Sequence, residues 1–158
     1  MPRGKQAPKR SILPDPKYHS IDLAKFVNYL MLGGKKTVAQ KIVYDALDVL
    51  AKKKEGNALE LFEQVVETAK PQVEVRSKRV GGANYQVPMP VLGNRGQALT
   101  YRWILAAARA RSGSSMKDCL AAEFCDILDG VGGTMKKKED VHRMAEANKA
   151  FAHFARRR

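Results

Sequence analysis

Pro71-Gln-Val-Glu-Val-Arg-Ser-Lys-Arg-Val-Gly-Gly-Ala-Asn-Tyr-Gln-Val-Pro-Met-Pro90 is the one stretch of this chain that reads as β structure. Val73, Val75, Ser77 and Arg79 alternate with Glu74, Arg76, Lys78 and Val80, and Tyr85, Val87 and Met89 repeat every second residue beyond them. That period of two, with β-branched and aromatic side chains, signals half-buried strands. Gly81-Gly82 can supply the positive φ angles of a tight turn, so the stretch predicts a β-hairpin over about residues 72–89. Two strands alone are marginal in water. Arg76, Lys78 and Arg79 are expected near the tip. An isolated basic hairpin on a helical body makes a poor enzyme part and a good arm for lying along a polyanion.

The rest of the composition agrees with a helical body. The chain has 158 residues and a formal net charge of +13, with an ordinary hydrophobic share, which fits one domain with a real core. No apolar run approaches the roughly 20 residues of a membrane span, and the basic N-terminus lacks the apolar core of a signal peptide. The expectation is a soluble protein of the cytoplasm, with an organelle matrix not excluded. Cys119 and Cys125 fall on one predicted helix, with Cα atoms about 9 Å apart at 1.5 Å rise per residue. They are too far apart to bridge and are expected reduced and structural. His19, His142 and His153 show no finger-like spacing with them, so neither zinc nor any other cofactor is expected.

Charge is segregated along the chain. The first 36 residues carry Arg3, Lys5, Lys9, Arg10, Lys17, Lys25, Lys35 and Lys36 against Asp15 and Asp22 alone. From Val75 through Lys117 there is no acid, while Arg76, Lys78, Arg79, Arg95, Arg102, Arg109, Arg111 and Lys117 accumulate. Such segregation points to an electropositive surface whose default partner is nucleic acid.

Residues 1–17 hold Pro2, Pro8, Pro14 and Pro16 and should form a basic extended arm, ordered on its partner. Residues 18–158 should form a helical domain. Ser20 can cap a first helix carrying Leu23, Phe26, Val27 and Leu30, closed by Gly33-Gly34. A second follows Lys36 and ends at Lys52-Lys53-Lys54, where cations suit the helix dipole. Asn57 with Glu60 marks a capping box for a third, stopped by Pro71. After the hairpin, residues 97–111 read as a fourth helix with Leu99, Trp103, Ala106, Ala107 and Ala110 inward. Arg95, Arg102 and Arg109 repeat every seven residues, nearly two turns, and so share another face suited to phosphate. Ser115 and Asp118 suggest a capping box for a fifth helix, which Gly130, Gly132 and Gly133 end. The last runs from Thr134 with Val141, Met144, Ala145, Asn148, Phe151 and Ala152 as its stripe. Lys136 and Lys137 open it together with Lys138, where the dipole disfavours cations, which hints at an external anion. The fold class is thus mainly α: a six-helix single domain with a protruding two-stranded hairpin and a basic arm.

Catalytic patterns are missing. Gly34-Lys35-Lys36-Thr37 lacks the upstream glycine of a phosphate loop, has Lys36 where a magnesium-binding hydroxyl belongs, and follows a helix. Asp45, Asp48, Glu139 and Asp140 lie on predicted helix surfaces with no partner placed opposite them. No enzyme is expected.

Three blocks together resemble bacterial ribosomal protein seven of the small subunit. They are Leu13-Pro-Asp-Pro-Lys-Tyr18; Gly34-Lys-Lys36 with Ile42-Val-Tyr-Asp-Ala-Leu47; and the hairpin with the ending Lys137-Lys-Glu-Asp-Val-His-Arg-Met-Ala-Glu-Ala-Asn-Lys-Ala-Phe-Ala-His-Phe154. The resemblance implies a six-helix domain whose hairpin protrudes, binding the 3′ major domain of 16S rRNA and nucleating assembly of the head of the small subunit. It implies a place near the E-site tRNA and the mRNA exit, contacts with ribosomal proteins nine and eleven, and no catalysis. It assigns RNA binding to Arg3, Arg10, Lys17, Lys35, Lys36, Arg76, Lys78, Arg79, Arg143 and Lys149. The family is usually more arginine-rich between Pro88 and Ala98, where Leu92 and Gly96 stand here and Arg95 remains.

Two other functions fit less well. A DNA-binding regulator would focus its charge on one recognition helix. A membrane-docking protein would need an exposed helix with cationic and bulky apolar faces.

Overall fold

The computed structural model describes Gly4, Pro8 and residues 10–156. Six α-helices and one hairpin follow one another: α1 Ile21–Leu30, α2 Lys36–Lys54, α3 Ala58–Ala69, β1 Val73–Val80, β2 Ala83–Pro90, α4 Asn94–Ala110, α5 Met116–Leu128 and α6 Gly132–Ala147. A 3-10 segment, Lys149–Arg156, follows α6. The chain divides into two compact units, Met1–Gln40 and Lys41–Arg158.

In the first unit, the approach to α1 is closed by Asp15. Its buried carboxylate accepts from the backbone N–H groups of Lys17 and Tyr18, both at 3.1 Å. Ser20 then caps α1 through Leu23 N. Leu23, Phe26, Val27 and Leu30 are buried, as their helical spacing requires.

The second unit is built on α3 to α6. Phe62 of α3 meets Phe124 of α5 edge-on, with ring centroids 6.1 Å apart. Asn57 caps α3 by accepting from Leu59 N, while Glu60 takes the Asn57 side-chain amide rather than its backbone N–H. Ser115 likewise spends its hydroxyl on Asp118 at 2.5 Å and caps no amide of α5. Both cysteines are free thiols.

The inward stripe of α4 differs from the expected one. Tyr101, Ile104, Leu105 and Ala108 are buried beside Leu99, whereas Trp103 and Ala107 are half-buried and Ala106 and Ala110 exposed. The two stripes lie on neighbouring arcs of one helix. Tyr, Ile and Leu offer more apolar area than a stripe made largely of alanine, and burial follows area.

The expected last helix is also split. Asn148 closes α6: its backbone N–H and its side-chain amide both donate to Met144 O, at 3.2 and 2.8 Å. The 3-10 period of three then aligns Phe151 with Phe154, whose rings lie 12° from parallel at 6.3 Å. Both rings pack on Tyr85 of β2, at 5.1 and 5.4 Å.

The hairpin register pairs Glu74 with Met89, Arg76 with Val87 and Lys78 with Tyr85, around Gly81-Gly82 at φ +58° and +90°. Nothing crowds either glycine, so the turn needs their positive φ and not their small size. One face carries Glu74, Arg76, Lys78, Tyr85, Val87 and Met89, and there Glu74 and Val87 are buried. The hairpin is therefore not isolated. One face is covered by α6 and the 3-10 segment, while the tip at Gly81, Gly82, Ala83 and Asn84 stays exposed.

Candidate nucleic-acid interface

Strand alternation divides the three hairpin cations instead of grouping them. Arg76 and Lys78 lie on the covered face with Glu74, and Arg79 points to the opposite, solvent face. Lys78 Nζ donates to Phe154 O at 2.7 Å and so fastens the 3-10 segment to the hairpin. Arg76 Nε donates to Glu74 Oε1 at 2.6 Å. Arg95, in the first turn of α4, reaches the other oxygen of the same carboxylate, Nε at 3.0 Å and Nη2 at 2.9 Å. Burial would raise the Glu74 carboxyl, but the hydrogen bonds from Arg95 and Arg76 outweigh it and hold the group below its ordinary value of 4.5.

All three arginines of the seven-residue series, Arg95, Arg102 and Arg109, are exposed, and Arg95 also holds Glu74. Arg111 donates Nε and Nη2 to the buried Glu123, at 3.0 and 2.5 Å, and Nη2 also meets Asp126. Those carboxylates, the Asp126 and Glu123 hydrogen bonds above all, raise the Arg111 pKa further. Arg111 thus belongs to the fold, although the sequence groups it with the other cations of an acid-free stretch.

At the start of α6, Lys136 and Lys137 are exposed, while Lys138 Nζ donates to Thr68 O at 2.5 Å. That carbonyl lies in the last turn of α3, a negative helix end where a cation is favoured. Arg143 and Lys149 are exposed and sit 3.9 Å from Asp140 and 3.3 Å from Glu146, pairs of little energetic weight at a surface. In the first unit Arg10, Lys17, Lys35 and Lys36 are exposed, with Lys17 5.0 Å from the centre of the Tyr18 ring. Arg3 lies outside the described residues. The loop holding Gly34-Lys35 joins two helices, where no phosphate-binding loop forms.

His142 borders a cleft of about 410 Å³ at the hairpin base, together with Gln72, Pro88, Met89, Ala145 and Lys149. Its Nε2 accepts from Gln72 N at 3.3 Å, so the imidazole is an acceptor already in use. Burial, with Lys138 adding to it, pushes its pKa below 6.5.

Sequence reasoning missed Glu74. Its signal was present: the residue lies two positions before Arg76, on the same strand face, just outside the acid-free stretch. No group of His, Cys, Asp and Glu among the described residues could hold a metal ion, and none of the described helices is long and apolar enough to cross a membrane.

Helices under a packed hairpin, with cations exposed among the described residues, define the class: a mainly α, strongly basic protein suited to a polyanion. A family model described as Ribosomal protein S7p/S5e matches residues 2–149. The chain is 56% identical to the small ribosomal subunit protein uS7 of Chromobacterium violaceum, over 98% of this chain and 99% of that one. Those of Nitrosospira multiformis and Neisseria meningitidis are 54% and 55% identical with the same coverage. The chain belongs to this family of small-subunit ribosomal proteins, whose role is structural and not enzymatic.

Proposed function

We propose that the chain binds the 3′ major domain of 16S rRNA directly and nucleates assembly of the head of the small subunit in the bacterial cytoplasm. One observation carries the reading: cations on both units stay exposed when the chain folds. Arg79, Arg102, Arg109, Lys136 and Lys137 are exposed in the second unit, and Arg10, Lys17, Lys35 and Lys36 in the first. Among the described residues Arg79, Lys136 and Lys137 enter no ion pair. Phosphate neutralisation with counterion release supplies the affinity. Recognition is of folded RNA shape, because the major groove of an A-form helix is too narrow to read.

The uncovered hairpin tip with Arg79 suits contact with the E-site tRNA and with mRNA near its exit. Ribosomal proteins nine and eleven of the small subunit are the proposed protein neighbours, on the strength of the sequence blocks shared with the family.

Binding of the chain to a 16S 3′ major domain fragment, titrated against salt, tests the proposal. If about six phosphates are contacted, log K should fall with log salt at a slope of roughly −5, taking the duplex coefficient. A nearly flat dependence, or a preference for duplex DNA in competition, would overturn it.

A further inference from the structure

Glu74 is a buried anion on the strand that also carries Arg76, Lys78 and Arg79. Its side chain is 9% exposed, and those of its partners Arg76 and Arg95 are 52% and 41% exposed. The partners come from different elements, β1 and the first turn of α4, 19 positions apart in sequence (95 − 76). Each takes its own oxygen of the one carboxylate through its Nε edge. A carboxylate needing only neutralisation requires one cation. Here there are two, so the cluster keeps one positive charge at the surface.

We propose that Glu74 is a positioning residue that holds Arg76 and Arg95 side by side as a preformed clamp for a backbone phosphate of RNA. The inference rests on the RNA-binding reading above and deepens it. A guanidinium carries five N–H donors in a fixed fork. With the Nε edge on Glu74, each guanidinium keeps N–H donors that the carboxylate does not use, on side chains that are 52% and 41% exposed. A tetrahedral phosphate group can accept from two planar forks at once, which a pair of lysines would offer only as point charges. The two side chains lose their rotamer freedom in folding and not in binding, so less is lost when RNA arrives.

Glu74→Gln separates this role from bulk electrostatics, because the two give opposite signs. The substitution raises the net charge from +13 to +14. Coulomb attraction alone therefore makes binding to the 16S fragment equal or tighter. Positioning makes it weaker, by about tenfold, at an unchanged salt slope, since both arginines remain but must be ordered by the RNA. Far-UV circular dichroism and urea unfolding establish that the variant is folded. The double variant Arg76→Lys/Arg95→Lys supplies the same test with Glu74 and all charge kept: the clamp predicts a similar loss, and unchanged affinity overturns it. Folded Glu74→Gln protein that binds as tightly as the wild type also overturns it, and leaves the RNA-binding reading standing. Wild-type protein that does not bind the fragment overturns that reading, and the clamp with it.

Discussion

Glu74 and Glu123 are both buried glutamates that hold arginines, and they end with opposite surpluses. Around Glu74, two guanidiniums share one carboxylate and stay partly exposed. Around Glu123, the single guanidinium of Arg111 is shared with Asp126, so two carboxylates face one cation. The excess negative charge is absorbed by the start of α6, where Thr134 N and Oγ1 donate to Glu123 Oε1 at 2.8 and 2.7 Å. A helix N-terminus is the positive end of its dipole and suits that charge. One cluster is closed and spends its arginine on the fold. The other is open and leaves charge for a partner. Local stoichiometry, and not the presence of a buried acid, decides which cluster keeps a surplus of positive charge.

Removing the closed cluster should have the largest effect. Glu123→Ala strands the Thr134 amide and hydroxyl, halves the charge around Arg111 and leaves space in the joint between α5 and α6. Breaking a buried charged network costs about 3–5 kcal/mol, to be read from urea unfolding. The salt slope of RNA binding should not change, because Arg111 is not counted among the contacts. A slope that falls by about one unit would place Arg111 at the interface and erase the contrast.

The next effect tests the packing around the same joint. Gly132 lies at φ +96°, and a Cβ there would come 2.9 Å from Asp126 Cβ; at Gly133 it would come 3.0 Å from Ala107 Cβ. Gly132→Ala should cost at least the ~1–3 kcal/mol of an overpacked core site. Gly81→Ala, at φ +58° in open space, meets only the left-handed backbone penalty, about 1 kcal/mol. Equal thermal shifts for the two variants would show that the joint yields as easily as the hairpin tip.

Much of this organisation was legible in the chain. Period-two alternation and Gly81-Gly82 placed the hairpin, and Ser20 and Asn57 placed two helix starts, because those signals are local. What escaped was decided by elements far apart in sequence. Trp103 satisfied the helical period, yet the stripe next to it carried more apolar area and took the core. Asn148 and the packing of Phe151 and Phe154 on Tyr85 turned the end of a helix into a 3-10 segment. Among the cations, local charge counting treated Arg95, Arg102, Arg109 and Arg111 alike. Only the fold shows that Arg95 meets an acid 21 residues away and Arg111 one 12 residues away.

The smallest effect is the acid limb of the open cluster. Glu74 is held below its ordinary 4.5 because the hydrogen bonds from Arg95 and Arg76 outweigh the opposing effect of its burial. For a carboxyl depressed in the folded state, the stabilisation is complete above the unfolded value and is lost as pH falls through the folded one. Wild-type stability should therefore exceed that of Glu74→Gln by a constant margin above about pH 5, and the margin should shrink on acidification below 4.5. Urea midpoints of the two proteins across that range give the difference directly. A margin that stays constant down to strong acid would mean that the arginines do not hold the carboxylate ionised. Glu74 would then anchor the hairpin by packing alone, and its likeness to Glu123 would be closer than the charge count allows.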